Sequence, residues 1–385
     1  MNTVGIICEY NPLHTGHLAQ MQKIRAHFGS DCAIVCLMSG NFVQRGAPAI
    51  FDKSIRAEAA VRAGADLVLE LPIGVCLSSA EGFAAGGVRI AQSLCDCLSF
   101  GTESMTREAL WEAAAALNSP EFPNLLRMYL ADGSSFPAAR QRALEKLVEG
   151  SCIPMLPNDI LATEYCKAIL QGNSQLDIFP VTRKGSYHAQ TIDTEAPSAT
   201  AVRQAMISGG GWQAAVPENV QDLFAAATIH TISVGEKAML YRLRTMTDED
   251  FETLPYGSEG LWRRLMHACR DGSDLEQIIA PTKTKRYTRT RIDRMILCAY
   301  LGITETVLRS PAPYVRILAF NDTGRRILRN KAGRLSLLNA GQQAEGAYWE
   351  LEQRCGDLYG LFSAKPEKPG IEKKRRVIYI QRESL

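Results

Sequence analysis

The chain has 385 residues, more than one typical hydrophobic core accommodates, so two domains are expected. Its composition, 46% hydrophobic and 22% charged, is that of an ordinary soluble globular protein and argues against a disordered or fibrous one. The net charge of +2 hides a division: residues 283–334 hold thirteen Lys/Arg against three Asp/Glu, residues 365–385 hold seven against three, and the rest carries −12. An acidic body with a basic C-terminal part points to a polyanionic partner. No apolar run is long enough to span a bilayer, and the N-terminus runs straight into a strand pattern rather than a signal peptide. The eleven cysteines are scattered through apolar segments without zinc-ligand spacing, which fits a reducing cytoplasm.

The apolar run from Val4 to Cys8 predicts a buried strand, Asn11-Pro12 a turn, and Leu18, Met21, Ile24 and Phe28 one face of a helix. Between turn and helix stand His14, Gly16 and His17. A helix N-terminus offers unpaired N–H groups and a partial positive charge, so it attracts phosphate. Gly16 lets a nucleotide approach the backbone, and two imidazoles three residues apart can donate to phosphate oxygens as charge builds there. His-Thr-Gly-His matches the His-x-Gly-His signature of the nucleotidylyl transferase superfamily. Its setting between a strand and a helix is the one such a motif requires.

Further strands are expected at 32–38, 66–71, 95–100 and 176–181, with helices from Asp52 to Ala63 and from Ser79 to Leu94 between them. This alternation predicts an α/β doubly wound parallel sheet. Ser39-Gly-Asn-Phe-Val-Gln-Arg-Gly46 leaves a strand's carboxyl end and should lie beside the first turn. Gly101 is expected in the turn after the fourth strand, and Asn158 at the start of a helix, where a capping role suffices to explain it. Arg183 and Lys184 follow the fifth strand directly and could hold phosphates. Ser198-Ala-Thr200-Ala-Val-Arg203 places two hydroxyls at a helix start with an arginine one turn in, a second phosphate cradle. Gly209-Gly-Gly211 marks a candidate boundary. The expected organisation is a catalytic domain over 1–211, with a helical insert at about 106–170, followed by a mainly helical, basic region over 212–385.

In that second region Lys283, Lys285, Arg286, Arg289, Arg291 and Arg294 are interleaved with an aromatic and hydroxyls, a composition suited to RNA. Arg325 and Arg326 open a second basic cluster, and Lys373 and Lys374 a third.

Taken together, Gly5 to His17, Met38 to Gly46, Leu69-Glu-Leu-Pro72, Phe100-Gly-Thr-Glu103, Leu156-Pro-Asn158 and Ser198 to Arg203 resemble the tRNA(Met) cytidine acetate ligase family. So do Tyr256-Gly-Ser-Glu-Gly260, Lys285-Arg-Tyr-Thr288 with Arg291, and Tyr314-Val-Arg-Ile-Leu318. The resemblance spans nearly the whole chain. It implies ATP-dependent activation of acetate as acetyl-adenylate and transfer of the acetyl group to N4 of the wobble cytidine of elongator tRNA(Met). By position, ATP would be bound by Ile7, Cys8, Glu9, Tyr10, Asn11, Pro12, Leu13, His14, Thr15, Gly16, His17, Leu18, Ala19 and Gln20, and by Gly101, Asn158, Arg183 and Lys184. Ser198 and Thr200 add the second cradle. His14, His17 and Arg203 are the expected catalytic groups, with Mg²⁺ bridging the phosphates and no protein metal ligand standing out. Two departures from the family pattern are Asp159, where an amide is expected, and Arg263-Arg264, where a Glu-Asn pair is expected. The competing readings are a cofactor adenylyltransferase, which shares the site but needs no basic C-terminal half, and an RNA-binding protein with a vestigial nucleotide site.

Overall fold

The structure, a computed structural model, describes residues 2–148, 153–182, 193, 197–330 and 333–381. Among these residues ten strands are formed: β1 (Thr3–Cys8), β2 (Ala33–Ser39), β3 (Phe42–Val43), β4 (Ala47–Pro48), β5 (Leu67–Leu71), β6 (Cys97–Thr102), β7 (Asp177–Thr182), β8 (Val315–Phe320), β9 (Leu337–Asn339) and β10 (Ile378–Tyr379). The main sheet runs β10-β8-β5-β2-β1-β6-β7, with β9 on β8, while β3 and β4 form a small hairpin. From β5 through β7 every pairing is parallel, as expected of a doubly wound sheet. Such a sheet is covered on both faces, so its strands are apolar on both. Here Ile7, Val35, Leu37 and Leu69 join one core, and Val4, Ile6, Cys36 and Val68 the other.

The chain passes from β1 through helix α1 (Thr15–Phe28) to β2 on one side, and later returns to β6 on β1's other side. That reversal of strand order is where open α/β sheets bind ligands. The ladder is interrupted there. β1 and β6 pair through Val4 and Gly5, whereas β1–β2 pairing continues to Cys8 and β6–β7 pairing to Thr102. The carboxyl halves of β1 and β6 therefore part, and Gln20 of α1 spans to Ser99 of β6 by a 3.1 Å hydrogen bond.

The expected split into two domains at the glycines is not a clean one. β8 lies antiparallel on β5, and β9 and β10 join it, so residues from the C-terminal third complete the first sheet. Otherwise the C-terminal part is mainly helical, as expected, around a third core that includes Leu243, Phe251, Leu265, Ile279, Ile292 and Met295. Phe42 and Leu77 of the N-terminal part belong to that core. Phe42 meets the rings of Tyr359 and Phe362 edge-on, at 5.8 and 6.1 Å between centroids.

A buried ion pair ties the parts together, and a buried arginine ties the strand ends of the first part. Asp52 caps α2 (Lys53–Arg62) by accepting from the Ser54 N–H, and also receives two bonds from Arg375, which holds its carboxyl well below the usual range. Arg56 of α2 is fully buried. Its guanidinium donates to the carbonyls of Phe51 (2.9 Å), Glu9 (2.6 Å), Ser39 (3.0 Å) and Gly40. One side chain thus joins the carboxyl ends of β1 and β2. Arg56→Met leaves those carbonyls buried without donors, at about 1–3 kcal/mol each. We expect urea unfolding to show at least about 3 kcal/mol lost, and Arg56→Lys to restore little, because an ammonium cannot span the same acceptors.

Candidate active site

The β1–α1 turn is the centre of the site. Tyr10 adopts a left-handed conformation (φ 43°), and Asn11-Pro12, a cis peptide, follows in the turn before His14. His14, 2% exposed, is the N-cap of α1. Its Nδ1 accepts from the Gly16 N–H (3.1 Å), and Nδ1 of His17 accepts from the His14 N–H (3.2 Å). The two imidazoles thus form a capping box usually built from a hydroxyl and a carboxylate. They stack at 3.7 Å between centroids, with Tyr10 4.9 Å from His17. Since each Nδ1 is an acceptor, each neutral ring carries its proton on Nε2, a donor suited to a phosphate oxygen. Gly16 is exposed, and a Cβ there would lie 3.0 Å from the His14 ring. It therefore leaves room for the ring as well as for an approaching ligand.

The second motif comes to the same place. Ser198 caps the Ala199–Ser208 helix by accepting from the Ala201 N–H (3.1 Å). Arg203 donates to the Asn11 carbonyl (2.6 Å) and to the exposed Thr200 hydroxyl (3.1 Å). The 39–46 loop also lies beside the turn: the Gln44 N–H donates to the Glu9 carboxylate (2.8 Å), and the Asn11 carboxamide accepts from the Ile50 N–H (2.8 Å). Ile7 and Cys8 end β1, Leu13 is buried beneath the turn, and Thr15, Leu18 and Ala19 belong to α1.

Gly101 lies within β6, opposite Val181 of β7, rather than in the turn after it. Asn158 is not the cap of its helix, which starts at Pro157 with Leu156 before it. Its amide donates to Glu103 (2.7 Å), whose carboxylate also accepts the Asn158 and Asp159 N–H groups. Asp159, fully buried, accepts in return from the N–H groups of Glu103 and Ser104. The departure at Asp159 thus forms a reciprocal clamp between the end of β6 and this helix. Sequence reasoning missed Glu103, although its place next to Gly101-Thr102 at a strand end was a usable signal. Arg183 and Lys184 lie outside the described residues.

The basic residues divide into groups. Lys283, Lys285 and Arg286 are exposed, as are Arg325, Arg326, Lys373 and Lys374. Arg289 is exposed but paired with Glu276 (2.7 Å) and Asp293 (3.1 Å). Arg291 is directed inward to the Tyr256 and Ser258 backbone. Arg294 is 8% exposed and stacks over Tyr256 at 5.0 Å, so it is not a surface contact; the periodicity of the Arg289–Leu301 helix turns it into the core side.

A family profile described as HIGH Nucleotidyl Transferase matches residues 1–374, in accord with the imidazole pair at the switch point. Two relatives named tRNA(Met) cytidine acetate ligase are 35% identical (Clostridium novyi; 88% of this chain, 89% of that one) and 36% identical (Clostridium acetobutylicum; 86% and 87%). Crystal structures of Thermotoga maritima TmcAL, 27% identical, superpose over 99% of this chain and 100% of theirs with TM-scores of 0.88 without ligand and 0.87 with α-thio ATP. The chain belongs to the tRNA(Met) cytidine acetate ligase family. The match runs through the C-terminal half, which a cofactor adenylyltransferase would not need.

Asp293, whose backbone packs on Gly46 and whose carboxyl pairs with Arg289, supplies a pH test. Burial pushes its carboxyl up to about 6, against the pull of Arg289. A folded pKa above the unfolded one means that stability is greatest below the unfolded value and falls as pH rises through about 6. The ionised group then costs about 3 kcal/mol. We expect Asp293→Asn to raise Tm relative to the wild type progressively between pH 4 and 7, and to match it at pH 4.

Proposed function

We propose that this enzyme binds ATP at the β1–α1 turn, activates acetate as acetyl-adenylate and acetylates N4 of the wobble cytidine of elongator tRNA(Met). The observation that carries this reading is the stacked His14–His17 pair, its Nδ1 atoms engaged by the backbone, at the start of a helix where β1 and β6 part. Acetate is a weak nucleophile, so the first requirement is alignment with the α-phosphorus. A carboxylate oxygen attacks there, and the bond to the β-phosphate oxygen breaks to release diphosphate. Nε2–H of His14 and His17, the N-terminus of α1 and Arg203 stabilise the charge gathering on the leaving phosphates. Gly101 and Asn158 lie across the gap, on the side expected to receive ribose and adenine. In the second step the cytidine amine attacks the acetyl carbon, AMP leaves with the bonding pair, and the amine loses a proton. The target base must be unpaired to reach the site, as an anticodon base can be.

Among the described residues there is no group of three or more His, Cys, Asp or Glu side chains arranged to hold a metal. In this reading Mg²⁺ would accompany the ATP phosphates, which supply hard oxygen ligands. Exposed Lys283, Lys285 and Arg286 are the best candidates for tRNA phosphates, with Arg325, Arg326, Lys373 and Lys374 as further contacts.

Acetate-dependent exchange of labelled pyrophosphate into ATP tests the first step directly. We expect His17→Ala to lower it by at least two orders of magnitude while tRNA affinity changes less than twofold. Loss of tRNA binding with normal exchange would overturn the assignment. Lys283→Glu with Lys285→Glu should weaken tRNA binding and reduce the slope of log affinity against log salt by about 2, leaving exchange intact. An unchanged slope would remove these two lysines from the interface. Nucleoside analysis of tRNA from a strain lacking the gene should show N4-acetylcytidine missing.

A further inference from the structure

Two segments that carry the family resemblance, Tyr256-Gly-Ser-Glu-Gly260 and Lys285-Arg-Tyr-Thr288 with Arg291, lie outside the β1–α1 turn. They grip each other. Arg291 donates to the Tyr256 carbonyl (2.9 Å) and the Ser258 hydroxyl (2.9 Å), Arg286 pairs with Glu259 (3.0 Å), and the Tyr287 hydroxyl donates to the Glu259 carbonyl. Glu259 also lies 3.4 Å from Arg291. The gripped turn is strained, with φ of 69° at Tyr256 and 63° at Glu259, conformations that cost L-residues about 1–3 kcal/mol each.

The other side of this clasp reaches the catalytic turn. Arg294 lies over the Tyr256 ring and donates to the Gln44 carbonyl (3.4 Å), while its Nε is buried with no acceptor. Gly46 is pressed on the same helix so closely that a Cβ would come 2.5 Å from the Arg294 nitrogen. The Gln44 N–H in turn holds the Glu9 carboxylate, five residues before His14.

We propose that the Tyr256–Gly260 turn and Arg294 are a positioning device that couples RNA bound at residues 283–291 to the geometry of the turn bearing His14 and His17. This rests on the functional reading above. Glu259 occupies the exposed guanidinium of Arg286 that an RNA phosphate would take, so phosphate binding displaces it and loosens the strained turn. Arg294 packs on that turn, and through Gln44 and Gly46 it carries the change to the 39–46 loop. Such coupling is reciprocal: nucleotide at the site must change RNA affinity by the same factor.

The test is titration of full-length protein with unmodified tRNA(Met) transcript, with and without a non-hydrolysable ATP analogue. In the wild type we expect the analogue to tighten RNA binding at least about fivefold. In Arg294→Met the effect should fall below twofold, with RNA affinity in the absence of nucleotide unchanged, and Arg294→Lys should recover part of it. Glu259→Gln, at an exposed position, should tighten RNA binding without nucleotide and also shrink the coupling, which keeps the test open if Arg294→Met does not fold. Equal coupling in wild type and variants, or RNA binding without coupling in the wild type, overturns the proposal alone. A wild type that binds no tRNA at all overturns the functional reading and this proposal with it.

Discussion

The guanidinium of Arg56 is the constraint on which the site depends. Among the described residues it makes no ion pair, burial lowers its pKa, and its bonds go to backbone carbonyls. Such a group costs much to desolvate and is tolerated only because its donors are satisfied. The acceptors are the carbonyls at the ends of β1 and β2, Glu9 and Ser39, with Gly40 one residue on. Their spacing fixes how the 39–46 loop meets the β1–α1 turn. With that distance set, Glu9 can hold the Gln44 N–H, and Arg203 can hold the Asn11 carbonyl from the opposite side.

The imidazole pair is preorganised by the same backbone. Capping boxes ordinarily satisfy the first N–H groups of a helix with side chains that have no other duty. Here the capping atoms are the two Nδ1 nitrogens, so each ring is oriented and its tautomer assigned before any ligand arrives. Preorganisation of this kind spares reorganisation at the moment charge develops. The parting of β1 and β6 leaves the place for the ligand, and the Glu103–Asp159 exchange of hydrogen bonds stiffens its far wall.

The basic C-terminal part is bound into the catalytic body at several points. β8 extends the sheet from β5, Arg375 and Glu372 reach the start of α2, and Phe42 enters the helical core. Lys53 of α2 lies between Glu70 and Glu372, at 2.8 and 2.9 Å, so its ammonium is held by a carboxylate from β5 and one from the C-terminal part. A partner held by the basic segments would therefore press on elements that are already continuous with the site.

Much of this was legible in the sequence, because local chemistry decides it. His14, Gly16 and His17 after an apolar run, Asp52 and Ser198 as caps, and the alternation of strands and helices up to residue 182 are each set by residues close in the chain. Other features depended on partners far away. Nothing near Val315–Phe320 shows that it pairs with Leu67–Leu71, since an apolar run has the same appearance wherever its neighbour lies. Arg56 and Arg294 look like any surface arginine until burial and backbone acceptors give them their roles. Glu103 and Asp159 became a clamp only when the end of β6 met a helix start 56 residues away. The sequence by itself determined the helix-start chemistry and the fold class, through interactions spanning a few residues. The tertiary structure alone decided which charges are buried and what holds the site in shape, because desolvation and backbone hydrogen bonding are set by whatever the folded chain brings alongside.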